Sequence, residues 1–182
     1  MCVGLARKSP LRTQIIEIAE IAQPLARRYS LGCVLLVEDN PKDLELTLLA
    51  LEKSNLANDV ITVRDGAEAL DYLFRRGQFA SRTKGSPAVV LLDLKLPKVD
   101  GIQVLEAIKA EPELQSLPVV MLTTSREETD LSRSYKMGVN AYVVKPVAFK
   151  DFIEAIRELG IFWAVVNEPP PGSLKPIRTL EP

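Results

Sequence analysis

The chain has 182 residues, 47% of them apolar and 26% charged, and a formal net charge of −1. That balance suits one ordinary globular domain with a full core and short appendages, and lacks the basic excess that nucleic-acid or anionic-membrane binding calls for. There is no histidine, which excludes a histidine base, a histidine metal ligand and a histidine phosphocarrier from this chain.

In chain order, residues 1–31 read as an N-terminal extension, a short helix or a disordered leader. Leu11, Ile15, Ile18, Ala22 and Leu25 follow a heptad-like spacing, but over about two heptads only, and Pro24 interrupts it. Glu17 and Glu20 break the apolar run that a signal peptide needs. No run of 18 apolar residues occurs, so no membrane span is expected. Two cysteines, Cys2 and Cys33, make no disulfide framework, and a reducing cytoplasmic setting is the expectation. Cys33 reads as a small buried apolar residue.

From residue 32 two kinds of segment alternate. Residues 33–37, 60–63, 88–92, 119–122 and 141–144 are short apolar runs rich in β-branched residues, the pattern of buried parallel strands. Between and after them lie helical patterns. "NPKDLELTLLALEKSN" offers Asn40 as N-cap, Pro41 at the first helical position and a Leu44, Leu48, Leu51 stripe. "GAEALDYLFRRG" is expected to stop at Gly77, "EETDLSRSYKMG" at Gly138 and "FKDFIEAIRELG" at Gly160. "GIQVLEAIKAEPE" presents Val104, Leu105 and Ile108. The stretch "RRGQFASRTKGSP" is longer than a usual helix–strand loop and reads as an exposed insertion. Five strands each followed by a helix predict an α/β domain with a doubly wound parallel (βα)5 sheet. The boundaries are 32–163 for that domain and 164–182 for a proline-rich tail with five prolines in its last 14 residues.

In an open α/β sheet, ligands bind beyond the carboxyl ends of the strands. There the first run ends in Glu38 and Asp39, the third in Asp93, the fourth in Thr123 and the fifth in Lys145. Clustered carboxylates raise one another's pKa unless a cation sits among them. Oxygen donors without histidine favour a hard ion, Mg2+ or Mn2+, over zinc. A hydroxyl and an ammonium opposite the metal suit a phosphoryl group, which leaves Asp93 as the nucleophile.

These residues resemble the receiver domain of two-component response regulators, a flavodoxin-like fold. The likeness runs from about residue 32 to 160. It rests on "LLVEDNPKD", "VRDGAEAL", "LLDLKLPKVDG", "LPVVMLTTS" and "GVNAYVVKP". It implies that Asp93 accepts a phosphoryl group from a phosphohistidine on a partner kinase. It implies Mg2+ held by Asp39, Asp93 and the Lys95 carbonyl, with Glu38 acting mostly through water. Thr123 and Lys145 would contact the phosphoryl oxygens, Thr123 and Tyr142 would form the switch pair, and Lys95 and Ser125 would tune autodephosphorylation. The Lys145–Pro146 bond is expected to be cis. Such a protein is a phosphoacceptor and not an enzyme acting on other substrates.

"GIFWAVVNEPPP", with the long insertion, is similar to single-domain regulators of phytochrome-type histidine kinases. That implies a light-responsive kinase as donor and a homodimer, with Phe162 and Trp163 as candidate dimer anchors. Only 22 residues follow residue 160, too few for a DNA-binding or catalytic output domain. Signalling is therefore expected through a reshaped protein-binding or dimer surface. Two other readings stay open: a phosphate sink, and a receiver-fold scaffold that is never phosphorylated. A dehalogenase-type phosphatase would want a second acid where Lys95 stands, and no glycine-rich phosphate loop exists.

Overall fold

A computed structural model of the chain describes residues 31–54, 57–83, 85–145 and 149–161. Five strands form one parallel sheet: β1 (Leu31–Val37), β2 (Ala57–Val63), β3 (Val89–Leu92), β4 (Val119–Thr123) and β5 (Ala141–Val144). Their order is β2-β1-β3-β4-β5. The chain turns one way out of β1 to reach β2 and the other way to reach β3, so the switch point lies between β1 and β3. The register sets the height of the rim. Val37 lies opposite Leu92 and Thr123 opposite Val144, so Glu38 and Asp93 leave neighbouring strands at one level, and Lys145 stands one residue beyond the level of Thr123.

The strands read as apolar runs because both faces are covered. Leu35, Val37, Val90, Leu92, Val119 and Met121 point to one core. It is closed by α2 (Gly66–Leu73) through Ala69, Tyr72 and Leu73, and by α3 (Gly101–Ala110) through Ile102, Leu105 and Ile108. Val34, Leu36, Val89, Leu91, Val120 and Leu122 point to the other. That core is closed by α1 (Pro41–Ser54) through Leu44, Ala50 and Leu51, and by α5 (Phe149–Ile161) through Phe152 and Ile156. Each fully buried leucine or isoleucine contributes about 1.5–3 kcal/mol of transfer free energy. The exception is α4 (Glu128–Lys136), whose single buried residue is Ser134. Leu131 and Tyr135 on it are exposed.

Helix starts follow the sequence closely. Asn40 caps α1, its side-chain oxygen accepting from the Lys42 amide at 3.0 Å. Asp65 caps α2 through the Glu68 amide, and Asp100 with Gln103 forms a capping box on α3. Helix ends depart from expectation at two glycines. Helix α2 closes at Leu73, four residues before Gly77, because Arg75 itself takes a left-handed turn (φ 56°). Helix α5 runs past Gly160 to Ile161. Gly138 does end α4, at φ 85°. The insertion is not simply exposed. A 3-10 turn at Gly77–Phe79 brings Phe79 edge-on to Tyr72, with ring centroids 5.1 Å apart, and Arg82 lies 4.3 Å over the same ring. Cys33 is buried as expected, its sulfur 3.6 Å from the Tyr72 hydroxyl.

Among the described residues no helix is long and apolar enough to cross a membrane. Cys2, residues 1–30 of the N-terminal extension, the proline-rich tail, Pro146 with its expected cis bond, and Phe162 with Trp163 lie outside the described residues; Leu31, taken into the extension from the sequence, opens β1.

Candidate functional site

At the carboxyl end of the sheet the hydrogen-bond ladder continues one step beyond the strands. The Glu38 amide donates to the Val63 carbonyl at 3.1 Å, the Asp93 amide to that of Val37 at 3.0 Å, and the Lys145 amide to that of Thr123 at 2.7 Å. The site's backbone is thus held by the sheet rather than by loops. Helix α3 presses on it from one side: the Gly101 amide donates to the Leu94 carbonyl. A Cβ on Gly101 would stand 2.2 Å from the Asp93 carbonyl oxygen, so only glycine fits there.

Glu38, Asp39 and Asp93 each bring one carboxylate oxygen to within 4.8 Å of the others. Lys145, 9% exposed, enters the cluster from β5. Its Nζ lies 2.6 Å from Glu38 Oε2, 3.1 Å from Asp43 Oδ2 and 3.4 Å from Asp93 Oδ2. Burial pushes the Glu38 carboxyl up to about 7, against the opposing pull of Lys145. Burial also raises Asp93, although Lys145 and the Leu94 amide, which donates to Asp93 Oδ1 at 2.7 Å, favour its charge. Burial alone would lower Lys145, but the Glu38 hydrogen bond and the Asp93 and Glu38 charges reverse this, and its ammonium is held above its usual range. One ammonium therefore faces more carboxylate charge than it neutralises. That surplus, on oxygen donors alone, fits a hard divalent cation.

Beside the cluster, the fully buried Thr123 accepts at Oγ1 from the Ser125 amide at 3.1 Å. The Tyr142 hydroxyl donates to the Ser125 carbonyl at 3.2 Å, and burial raises the phenol's pKa. Lys95 reaches α4, with Nζ 3.8 Å from Asp130 Oδ2. The Ser125 hydroxyl donates to that same oxygen at 2.7 Å. All eight rim residues singled out from the sequence, Glu38, Asp39, Asp93, Lys95, Thr123, Ser125, Tyr142 and Lys145, therefore gather at one end of the sheet.

Two acids in contact with them were missed. Asp43 stands in the first turn of α1, where an acid reads as an ordinary complement to the helix start and not as a site residue. Asp130 carried no signal either, since its partners come from two other loops.

Residues 34–157 match the family model described as the response regulator receiver domain. The probable methanogenesis regulatory protein FilR2 of Methanothrix harundinacea is 42% identical over 137 residues, 75% of this chain and 86% of its own. Among solved structures, the bacteriophytochrome response regulator RtBRR is 65% identical, with a TM-score of 0.64 over 79% of this chain and 86% of that one. The phosphorylated cyanobacterial phytochrome response regulator RcpA is 39% identical, with a TM-score of 0.72 over 78% of this chain and 99% of that one.

Proposed function

The chain belongs to the response regulator receiver domain family, and from that premise we propose that it takes a phosphoryl group from a phytochrome-type histidine kinase onto Asp93. The observation that carries this reading is the cluster itself. Three carboxylates lie within 4.8 Å of one another, a buried lysine reaches Asp93 at 3.4 Å, and a buried threonine ends the adjoining strand.

An Asp93 carboxylate oxygen attacks the phosphorus of the donor's phosphohistidine. The new P–O bond gives an acyl phosphate as the P–N bond breaks, and its electron pair stays on the imidazole nitrogen. Lys145 is already an ammonium beside the attacking oxygen, so it neutralises charge on the phosphoryl oxygens without a proton moving first. Thr123 donates its hydroxyl to one of them, and Tyr142 follows into the space this opens. Glu38 and Asp39, with Asp93 and the Lys95 carbonyl, would hold Mg2+ or Mn2+, which when bound supplies electrostatic stabilisation to the transferring group. Lys95 and Ser125 tune the return to the free carboxylate. Glu38 serves mainly to hold Lys145 and the ion in place.

The likeness to RtBRR and RcpA, both phytochrome response regulators by description, supports a phytochrome kinase as donor; we infer further a cytoplasmic setting and signalling through a protein-binding or homodimer surface, with Phe162 and Trp163 as dimer anchors. The test is incubation with a small phosphodonor and Mg2+, beside Asp93→Asn, with intact mass and size-exclusion elution read on the same samples. One added phosphoryl group on the wild type and none on the variant, with a shift in elution, is the expected result. Mass gain without a shift would point to a different partner or a phosphate sink. Equal labelling of both proteins would remove Asp93 as the acceptor.

A further inference from the structure

We propose that Asp130 is a positioning residue for the switch, a latch that holds the β4–α4 loop in its unphosphorylated arrangement and so sets how readily Thr123 reaches the phosphoryl group. The proposal rests on the reading of Asp93 as the acceptor and adds a residue to it.

Helix α4 is weakly packed. It buries Ser134 alone, and Leu131 and Tyr135 face outward. Its N-cap, Glu127, makes no side-chain capping bond. With so little apolar anchorage, polar contacts must fix where this helix begins relative to the sheet. Asp130 supplies them at the third helical position. Its Oδ2 accepts from the Ser125 hydroxyl at 2.7 Å and lies 3.8 Å from the Lys95 ammonium. One carboxylate oxygen therefore joins α4 to the loop after Thr123 and to the loop after Asp93.

Ser125 is the hub. Its amide donates to Thr123 Oγ1, its carbonyl accepts from Tyr142, and its hydroxyl donates to Asp130. Thr123 Oγ1 cannot move toward a phosphoryl oxygen and keep the Ser125 amide unless the loop moves with it. For the loop to move, Ser125 must give up Asp130, a charge-assisted hydrogen bond at short range, or draw the start of α4 away from Lys95 with it. The two residues that would tune dephosphorylation, Lys95 and Ser125, thus meet on one acid, and their effects should be coupled through it. The competing account is that Asp130 merely complements the start of the α4 dipole. That account predicts a small stability effect and no link to Ser125.

The test uses Asp130→Ala, Asp130→Asn, Ser125→Ala and the Asp130→Ala/Ser125→Ala double variant, each first melted to establish that it folds. Hydrogen exchange across residues 124–127 is read without phosphodonor, and the rates of labelling by a small phosphodonor and of label loss are then measured separately. The expected result is faster exchange in that segment and labelling about tenfold faster in Asp130→Ala, the equivalent of one lost charge-assisted hydrogen bond. Ser125→Ala should show most of the same gain, and the double variant should fall well short of the sum of the two, since both remove the Ser125–Asp130 bond while each also loses one longer contact, to the Glu127 amide at 3.4 Å or to Lys95 at 3.8 Å. Asp130→Asn, which keeps an acceptor without the charge, should fall between. Wild-type exchange and labelling rates in Asp130→Ala would overturn the proposal. So would a gain in Asp130→Ala that Ser125→Ala does not share, which would mean plain charge repulsion. If even the wild type takes no label, the reading of Asp93 falls instead, and unchanged exchange in Asp130→Ala would then overturn the latch as well.

Discussion

Replacing Lys145 by Met removes the only ammonium described within the acidic cluster while keeping a chain of similar length. The expected cost depends on pH in a way set by Glu38. That residue is 2% exposed, and its carboxyl is raised from 4.5 to about 7 by burial, with Lys145 pulling the other way. A raised carboxylate contributes stability that is complete below its unfolded pKa and lost as pH rises through the folded one. In the metal-free wild type, ionising Glu38 therefore withdraws roughly 3 kcal/mol between pH 4.5 and about 7. Above that, Glu38 is charged in both states and the curve is flat. In Lys145→Met the lowering influence is gone, Glu38 stays protonated to higher pH, and the loss continues. Above pH 7 the difference between variant and wild type should widen by about 1.4 kcal/mol for each further pH unit through Glu38, and Asp93, which Lys145 also pulls down, adds to the widening at lower pH. Lys145 itself is held above its usual range and adds no slope in this window. Urea denaturation at pH 5, 6, 7, 8 and 8.5, with divalent ions removed, measures this directly. A difference that stays constant from pH 6 to 8.5 would refute the pairing of Lys145 with Glu38 across the rim.

Three further outcomes are expected. Lys98 donates to Asp65 at 2.6 Å and is the main reason that carboxyl titrates below its usual value. A lowered carboxylate gives stability that is present above pH 3.8 and lost on acidification, so Lys98→Met should be less stable than wild type at pH 6 and converge with it as pH falls below 3.8, as read by acid denaturation. Gly101→Ala, with its Cβ 2.2 Å from the Asp93 carbonyl oxygen, should cost about 2–3 kcal/mol at every pH and slow labelling of Asp93, because the strain falls on the acceptor's own backbone; melting and intact mass test both. Mg2+ at a hundredfold its dissociation constant should stabilise the wild type by about 2.7 kcal/mol, and Asp39→Asn should lose most of that shift in a thermal melt.

Much of the site was legible in the sequence for a simple reason. In a parallel sheet, the residues just past each strand's carboxyl end share one rim whatever the strand order, so reading apolar runs up to Glu38, Asp93, Thr123 and Lys145 was enough to assemble it. Capping signals are equally local: Asn40 before Pro41 starts α1 as read. Local signals failed where a contact from elsewhere competes with them. Gly77 does not end α2, because the chain turns earlier at Arg75 and then folds Phe79 and Arg82 onto Tyr72.

What remained hidden depends on distances across the fold. Asp43 meets Lys145 across 102 positions of sequence, and Asp130 gathers Lys95 and Ser125 from two separate loops. Neither pairing has a sequence period, because each needs strands from distant parts of the chain set side by side, and a helix seated on them, before the side chains come within reach. The strands, their succession along the chain and the chemistry at their ends follow from residue type and local spacing, and could be read from the residues alone. Which acid each ammonium serves emerges only in the folded molecule, because the energy of an ion pair depends on a separation of a few ångströms that no local pattern encodes.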